Sequence, residues 1–174
     1  YLTLFPINKL YEKRKKNGKT THYNKKYFEY QKNIGQFGGL ANRFKFAEFV
    51  NDKDVVLDFG CGGGYLLKNF NCQRRLGVEV NTEACKIAEE NGIETYKSIS
   101  EVPAGMVDVV ISNHALEHTS NPLEELEGLY KVLKKGGRII FVVPHQNAKE
   151  EYQPGDVNQH LYTWNPMTLG NLFA

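Results

Sequence analysis

Four glycines fall within five residues in the stretch Asp58-Phe59-Gly60-Cys61-Gly62-Gly63-Gly64. A glycine-rich turn between a strand and a helix lets a ligand approach the backbone closely and presents amide N–H groups to it. Nineteen residues after Gly60 stands Glu79, at the end of the next apolar run. A carboxylate at that distance suits the two hydroxyls of a ribose, so the expected ligand contains a ribose, with adenosine the leading choice. The dinucleotide fingerprint G-x-G-x-x-G requires glycine at position 65, where this chain has Tyr65. The Asp58 carboxylate beside the loop is poor company for a pyrophosphate. It is good company for an ammonium or a sulfonium.

A second group of chemistry-bearing residues is Ile111-Ser112-Asn113-His114-Ala115-Leu116-Glu117-His118. Histidine suits proton transfer near neutral pH. The candidate bases are His118, His114, His145 and His160, with His118 and His114 preferred as catalytic residues. The letters His114-x-x-Glu117-His118 also spell a zinc-peptidase signature, in which two imidazoles at i and i+4 on a helix share one metal. The context argues against that reading: the motif follows an apolar strand directly, and Asn121-Pro122 leaves room for only a very short helix. No metal ligand set is assigned.

These residues need a scaffold, and the chain alternates between strand and helix signals. Val55–Phe59, Arg75–Val80, Ile93–Tyr96, Val107–Ser112 and Arg138–Val143 read as five strands. Gly63 to Phe70 reads as a short helix. Asn81 or Thr82 caps a second, carrying Ala84, Ile87 and Ala88 inward and stopped by Asn91-Gly92. Asn121-Pro122 opens a third, with Leu123, Leu126, Tyr130 and Leu133 as its apolar face. Lys134-Lys135-Gly136-Gly137 closes it. Leu40 to Val50 shows Leu40, Phe44, Ala47 and at some pitches Phe46 on one side, a helical spacing, and Pro166 starts a last short helix. Strands alternating with helices imply a parallel sheet with right-handed crossovers.

An acid followed by G-x-G-x-G after the first strand, met in full by Asp58, Gly60, Gly62 and Gly64, resembles the first motif of the class I S-adenosylmethionine-dependent methyltransferases. The resemblance runs from Leu40 to Pro144. It implies a Rossmann-like, doubly wound α/β fold with a mostly parallel sheet in the order 3-2-1-4-5. The antiparallel strand pair that closes the family's sheet is not found before the chain ends. The resemblance also implies that S-adenosyl-L-methionine is the cofactor. Its amino acid end would lie on the Gly60–Cys61–Gly62 backbone and its ribose on Glu79. Val80, Ser98 and Ile99 would lie near the adenine, Ser98 standing where the family often has an acid. Asn113 and His114 would touch the cofactor from the fourth strand, and Phe37 and Gly38 would close over its methionine end as part of a lid. The acceptor would be lined by Tyr27, His118, His160, Tyr162 and Trp164. The expected reaction is methyl transfer to a small molecule, a sugar or a surface-polysaccharide precursor. The alternatives are a non-catalytic or partner-dependent cofactor-binding module and a nucleic acid methyltransferase.

The chain has 174 residues, 41% apolar and 24% charged, which excludes a collagen, a disordered chain and a disulfide-dense miniprotein. No apolar run reaches the roughly 18–20 residues of a membrane-spanning helix. The apolar opening Tyr1–Ile7 is too short for a signal-peptide core. Residues 1–32 carry nine Lys/Arg against Glu12 and Glu29, while the remainder is mildly acidic. This divides the chain into a basic leader, 1–26, and a domain, 27–174, made of a lid segment (27–50), a core (54–144) and a substrate-side tail (145–174). Charge of this kind is usually just solvated, and no aromatic-interleaved motif supports nucleic acid binding. Cys61, Cys72 and Cys85 form no C-x-x-C pair, so free thiols in a reducing, cytoplasmic setting are expected. An exposed sheet edge would invite a homodimer.

Overall fold

The computed structural model describes residues 35–145 and 160–174. The leader and the start of the lid segment, Tyr27 included, lie outside the described residues, as do residues 146–159. The sheet has five strands: β1 (Val55–Phe59), β2 (Arg74–Val78), β3 (Glu94–Tyr96), β4 (Val107–Asn113) and β5 (Leu133–Val142). Their order is β3-β2-β1-β4-β5, and every pairing is parallel. The helices are α1 (Thr82–Glu90), α2 (Pro122–Val132) and α3 (Pro166–Leu172), with single 3-10 turns between them.

Period-two alternation along buried strands divides the apolar residues between two faces. Val55, Leu57, Phe59 and Val110 face one core with Leu126, Leu129 and Val132 of α2. Val56, Val109 and Ile111 face the other, with Phe46, Leu67, Phe70 and Ala88 of α1. All five residues of β1 are buried, as expected for the central strand of a two-sided sheet. The caps of α1 and α2 are those read from the sequence, and α3 adds one that was not. Asn81 Oδ1 accepts from the amides of Glu83 and Ala84 at the head of α1. Asn121 caps α2 with Pro122 at its first position. Asn165 and Thr168 form a reciprocal capping box on α3.

Three local expectations are corrected. Gly63 to Phe70 is not an α-helix: it contains turns and one 3-10 turn, Leu67–Asn69. Gly62 and Gly64 adopt φ of 53° and 73°, which a right-handed helix cannot contain. The segment from Leu40 to Val50 is not one helix with Leu40 and Phe44 inward. Residues 35–41 are helical, then two 3-10 turns follow, Arg43–Lys45 and Ala47–Phe49. That change of pitch buries Phe46 completely and leaves Phe44 73% exposed. Finally, Lys134-Lys135-Gly136-Gly137 does not stand apart as a closing turn. It is taken into β5, whose register against β4 shifts between Val107 and Val109, with Gly136 at φ 84°. Lys134 Nζ meets Asp108 Oδ2 at 2.7 Å across this irregularity.

Candidate cofactor and acceptor site

β1 and its two neighbours end together, and that is what assembles the site. Asp58 pairs in register with Gly77 of β2 and Ile111 of β4. The buried Ser112 hydroxyl donates to the Phe59 carbonyl at 3.0 Å and ties the exits of β1 and β4 to each other. A doubly wound sheet changes direction at this point, and ligands bind outside the carboxyl ends of its strands there.

The glycine loop leaves β1 held by β2: the amides of Gly60 and Cys61 donate to the Val78 carbonyl at 2.9 and 3.2 Å. Gly60 has φ 78°, and a Cβ there would overlap the Ala115 methyl, so glycine is needed both for conformation and for the approach of the β4 exit. Gly62 differs. Its φ of 53° also favours glycine, but a Cβ there would meet nothing within 4 Å. The loop is therefore packed on the side of Gly60 and open over Gly62.

Glu79, immediately after β2, closes the loop from the other side. Its Oε2 accepts from the Gly62 amide at 3.0 Å and its Oε1 from the Asn81 amide at 2.7 Å. Burial raises its pKa, and these backbone donors, Asn81 first, pull it back down. Asp58 is almost fully buried, and its pKa is raised to about 7 by desolvation first and by the Glu79 charge second. Two mutually repelling carboxylates on adjacent strand ends form a place where a sulfonium or an ammonium relieves the repulsion. The Cys61 thiol is pushed up well above its ordinary value by burial, then by Asp58 and Glu79, so it stays protonated. Its side chain belongs to the core, and only its backbone faces the loop. Val80 is 64% exposed beside Glu79.

Two of the adenine-side expectations fare differently. The Ser98 hydroxyl lies 2.7 Å from that of Ser100. Ile99 is buried in the core shared with α2, pressed against Gly128, and is not free to stack on a ring. The helical residues 35–41 lie against Tyr65, where Gly35 and Gly39, one turn apart, leave no room for side chains. That lays this segment beside the residue that follows the loop. Phe37 itself points outward, and the Gly38 carbonyl accepts from both the backbone amide and the side chain of Asn42 at 2.8 Å.

At the exit of β4, Asn113 Oδ1 accepts from Lys45 Nζ at 3.5 Å. His114 takes φ 57°, alone among the described non-glycine residues, and its amide donates to the Val142 carbonyl at 2.8 Å. Its Nδ1 lies 3.1 Å from Glu117 Oε1. Leu116–His118 is a 3-10 turn, so His114 and His118 do not share a helical face and the two-histidine peptidase geometry is not formed. The tail returns to this turn. The Glu117 carbonyl accepts from the amides of Leu161 and Tyr162 at 2.8 and 3.3 Å. This brings the His160 ring to 4.9 Å from that of His118, edge on. Tyr162 stacks on Trp164 at 5.6 Å, and its hydroxyl donates to the Ser120 carbonyl at 3.4 Å. Trp164 is buried in the core cluster that holds residues of α2 and β1, and its amide donates to the Pro144 carbonyl at 3.1 Å. His118, His160 and Tyr162, grouped by the sequence reading, do come to lie near one another. That reading missed Glu117 as a buried residue and Lys45 as the partner of Asn113. Burial and long-range pairing leave no mark at those positions in the letters.

No described helix is long and apolar enough to cross a membrane. The three cysteines are buried and unpaired with one another.

The sequence profile of the family described as a methyltransferase domain matches residues 23–174. A ubiquinone biosynthesis O-methyltransferase of Pectobacterium atrosepticum is 30% identical over 106 residues, covering 54% of this chain and 44% of its own. The chain thus spans about half the length of the ubiquinone enzymes it matches. A protein-lysine N-methyltransferase of Saccharolobus islandicus is 30% identical over 132 residues, 66% of this chain and 81% of its own. The solved S-adenosylmethionine-dependent methyltransferase of Aquifex aeolicus has the same fold, with a TM-score of 0.58 and 19% identity over 76% of this chain and 77% of that one. The open glycine loop, the acid pair beside it and the 3-2-1-4-5 sheet agree with what the profile reports: this chain belongs to the methyltransferase-domain family of class I enzymes, whose methyl donor is S-adenosylmethionine.

Proposed function

We propose that this chain moves a methyl group to a hydroxyl oxygen of a small-molecule acceptor, with sugars the first class to try. The observation that carries the reading is the meeting of two imidazoles, His118 and His160, at the turn after β4, where Ala115 abuts Gly60 of the glycine loop. An alcohol acceptor must lose a proton as it is methylated, and imidazole is the side chain best matched to take it near neutral pH.

S-adenosylmethionine supplies an electrophilic methyl group when bound. Gly60, Cys61 and Gly62 would hold its amino acid end through the backbone, with Asp58 facing the cationic groups. Glu79 would hold the ribose with the lone pairs its two amide contacts leave over. Val80 would cover the adenine, and Ser98, Asn113, His114 and Gly38 would complete the surround, with Phe37 joining them only by turning inward from its exposed position. These residues do alignment and exclude water, which can supply much of the rate of a displacement. His118, His160 and Tyr162 would hold the acceptor, with His118 taking its proton.

Calorimetric titration with S-adenosylmethionine, followed by labelled-methyl transfer to sugars, phenols, a lysine peptide and RNA, tests this. Uptake of the cofactor and label in a small hydroxyl compound are expected. Cofactor binding that cannot be detected, or label confined to the peptide or the RNA, would overturn it. His118→Ala should lower turnover by about 10²–10⁴-fold while cofactor affinity holds.

A further inference from the structure

We propose that Glu117, His118 and His160 form a binding site for a divalent first-row transition ion, best matched by Zn²⁺. One oxygen or nitrogen from each of the three lies within 4.8 Å of the others. Glu117 is completely buried. Its Oε1 meets His114 Nδ1, but Oε2 has no hydrogen-bond partner among the described residues. A buried carboxylate oxygen without a partner carries a large desolvation penalty, and a bound cation removes it. Two imidazoles and a carboxylate are the donor set of three-ligand zinc sites, which leave a position open. The nitrogen donors disfavour Mg²⁺ and Ca²⁺, which prefer all-oxygen shells.

The backbone builds this cluster from two distant segments. The Glu117 carbonyl accepts from Leu161 and Tyr162, so the residue that carries the buried carboxylate also anchors the strand of chain that delivers His160. His114 supports the carboxylate from behind, the kind of outer partner that metal-bound carboxylates keep. Zinc bonds of roughly 2.0–2.2 Å require the three donors to draw closer than they stand now. The exposed His160 has the rotamer freedom to do so. This differs from the peptidase signature, in which His114 and His118 are the ligands and Glu117 is not. The site stands without the methyl-transfer reading. With the ion bound, His118 would be a ligand and not a free base, and the ion would instead acidify an acceptor hydroxyl at the open position; only that use rests on the methyl-transfer reading.

The test is metal uptake by the whole chain. Protein stripped with chelator is dialysed against Zn²⁺ and, separately, Co²⁺, then read by elemental analysis and by the visible absorption of Co²⁺. One ion per chain is expected. His160→Ala and His118→Ala should each weaken uptake by more than about 100-fold, since loss of a ligand exceeds the roughly 10–100-fold typical of outer partners. Glu117→Gln should do the same. His160 is exposed, so its variant keeps the test meaningful if Glu117→Gln fails to fold. No stoichiometric uptake, or uptake unchanged in both histidine variants, would overturn the site. S-adenosylmethionine titration of the same samples separates the two readings: metal binding without cofactor binding sinks the proposed function alone.

Discussion

The loop side and the acceptor side of the site are built in opposite ways. On the loop side, Asp58, Gly60–Gly64 and Glu79 sit within 22 residues of one another, and the fixing is done by the backbone: Gly60 and Cys61 onto Val78, and Gly62 onto Glu79. On the acceptor side, Glu117 and His118 meet residues 160–162 across more than forty positions of chain. Their juxtaposition depends on where Trp164 and α3 pack. The first side is acidic and suits a cation. The second carries imidazoles and suits a proton or a metal. The contrast teaches that binding the donor and handling the acceptor rest on separable parts of the fold, one set by adjacent strands and one by a docked tail.

The sharpest way to break this contrast is at the tail. Trp164→Ala removes a buried aromatic from the core beside α2, at about 3–5 kcal/mol of stability. Denaturant melts should show that loss. Turnover and metal uptake should fall with it, while cofactor affinity below the transition should hold. Equal loss of cofactor affinity would mean that the two sides are one unit.

Next in size is a pair of glycines within the loop. Gly60→Ala combines a left-handed φ with overlap against Ala115. It should cost about 2–4 kcal/mol and disturb both sides of the site. Gly62→Ala meets open space, so only the backbone penalty of about 1 kcal/mol applies. It should nevertheless abolish cofactor uptake, because its methyl would occupy the room left over the loop. Unchanged affinity in Gly62→Ala would show that the open space is not the ligand's.

Spread over about three pH units, and so least felt at any one pH, is the dependence set by Asp58. Its folded pKa of about 7 lies above the model-peptide value of 3.8, so the folded state keeps a proton that the unfolded state gives up. The stability contributed by that proton is full below about pH 4 and declines as pH rises to about 7. The slope is at most about 1.4 kcal/mol per pH unit. Asp58→Asn should flatten it in melts across pH 4–7. A bound cation favours the ionised carboxylate, so wild-type affinity for S-adenosylmethionine should rise with pH up to about 7 and then level off. It should rise less for the product, which lacks the sulfonium charge.

The reading from letters succeeded where one segment carries its own instruction. β1 and β4 were legible as short apolar runs, β2 and β5 from the apolar ends of their segments, and α1 and α2 because Asn81 and Asn121-Pro122 are local start signals. The loop was legible because an acid, three alternate glycines and a following acid are all within reach of one turn and two strands. It failed where two local rules competed. Leu40 and Phe44 have helical spacing, yet the chain changes pitch at Asn42 and gives the buried place to Phe46. The stretch from Gly63 to Phe70 has helix-forming residues, but the left-handed glycines before them exclude the first turn.

What the sequence alone determined is the strand segments, the caps of α1 and α2 and the place of the donor-side loop, because periodicity, capping and glycine spacing act over a few residues; the strand order came from the family resemblance. Only the tertiary structure decided that Trp164 and Ile99 belong to the core, that Glu117 is buried, and that His160 returns to His118. Burial and long-range backbone hydrogen bonding depend on what comes to lie opposite a residue, and that is fixed only when the tail packs against β4 and α2.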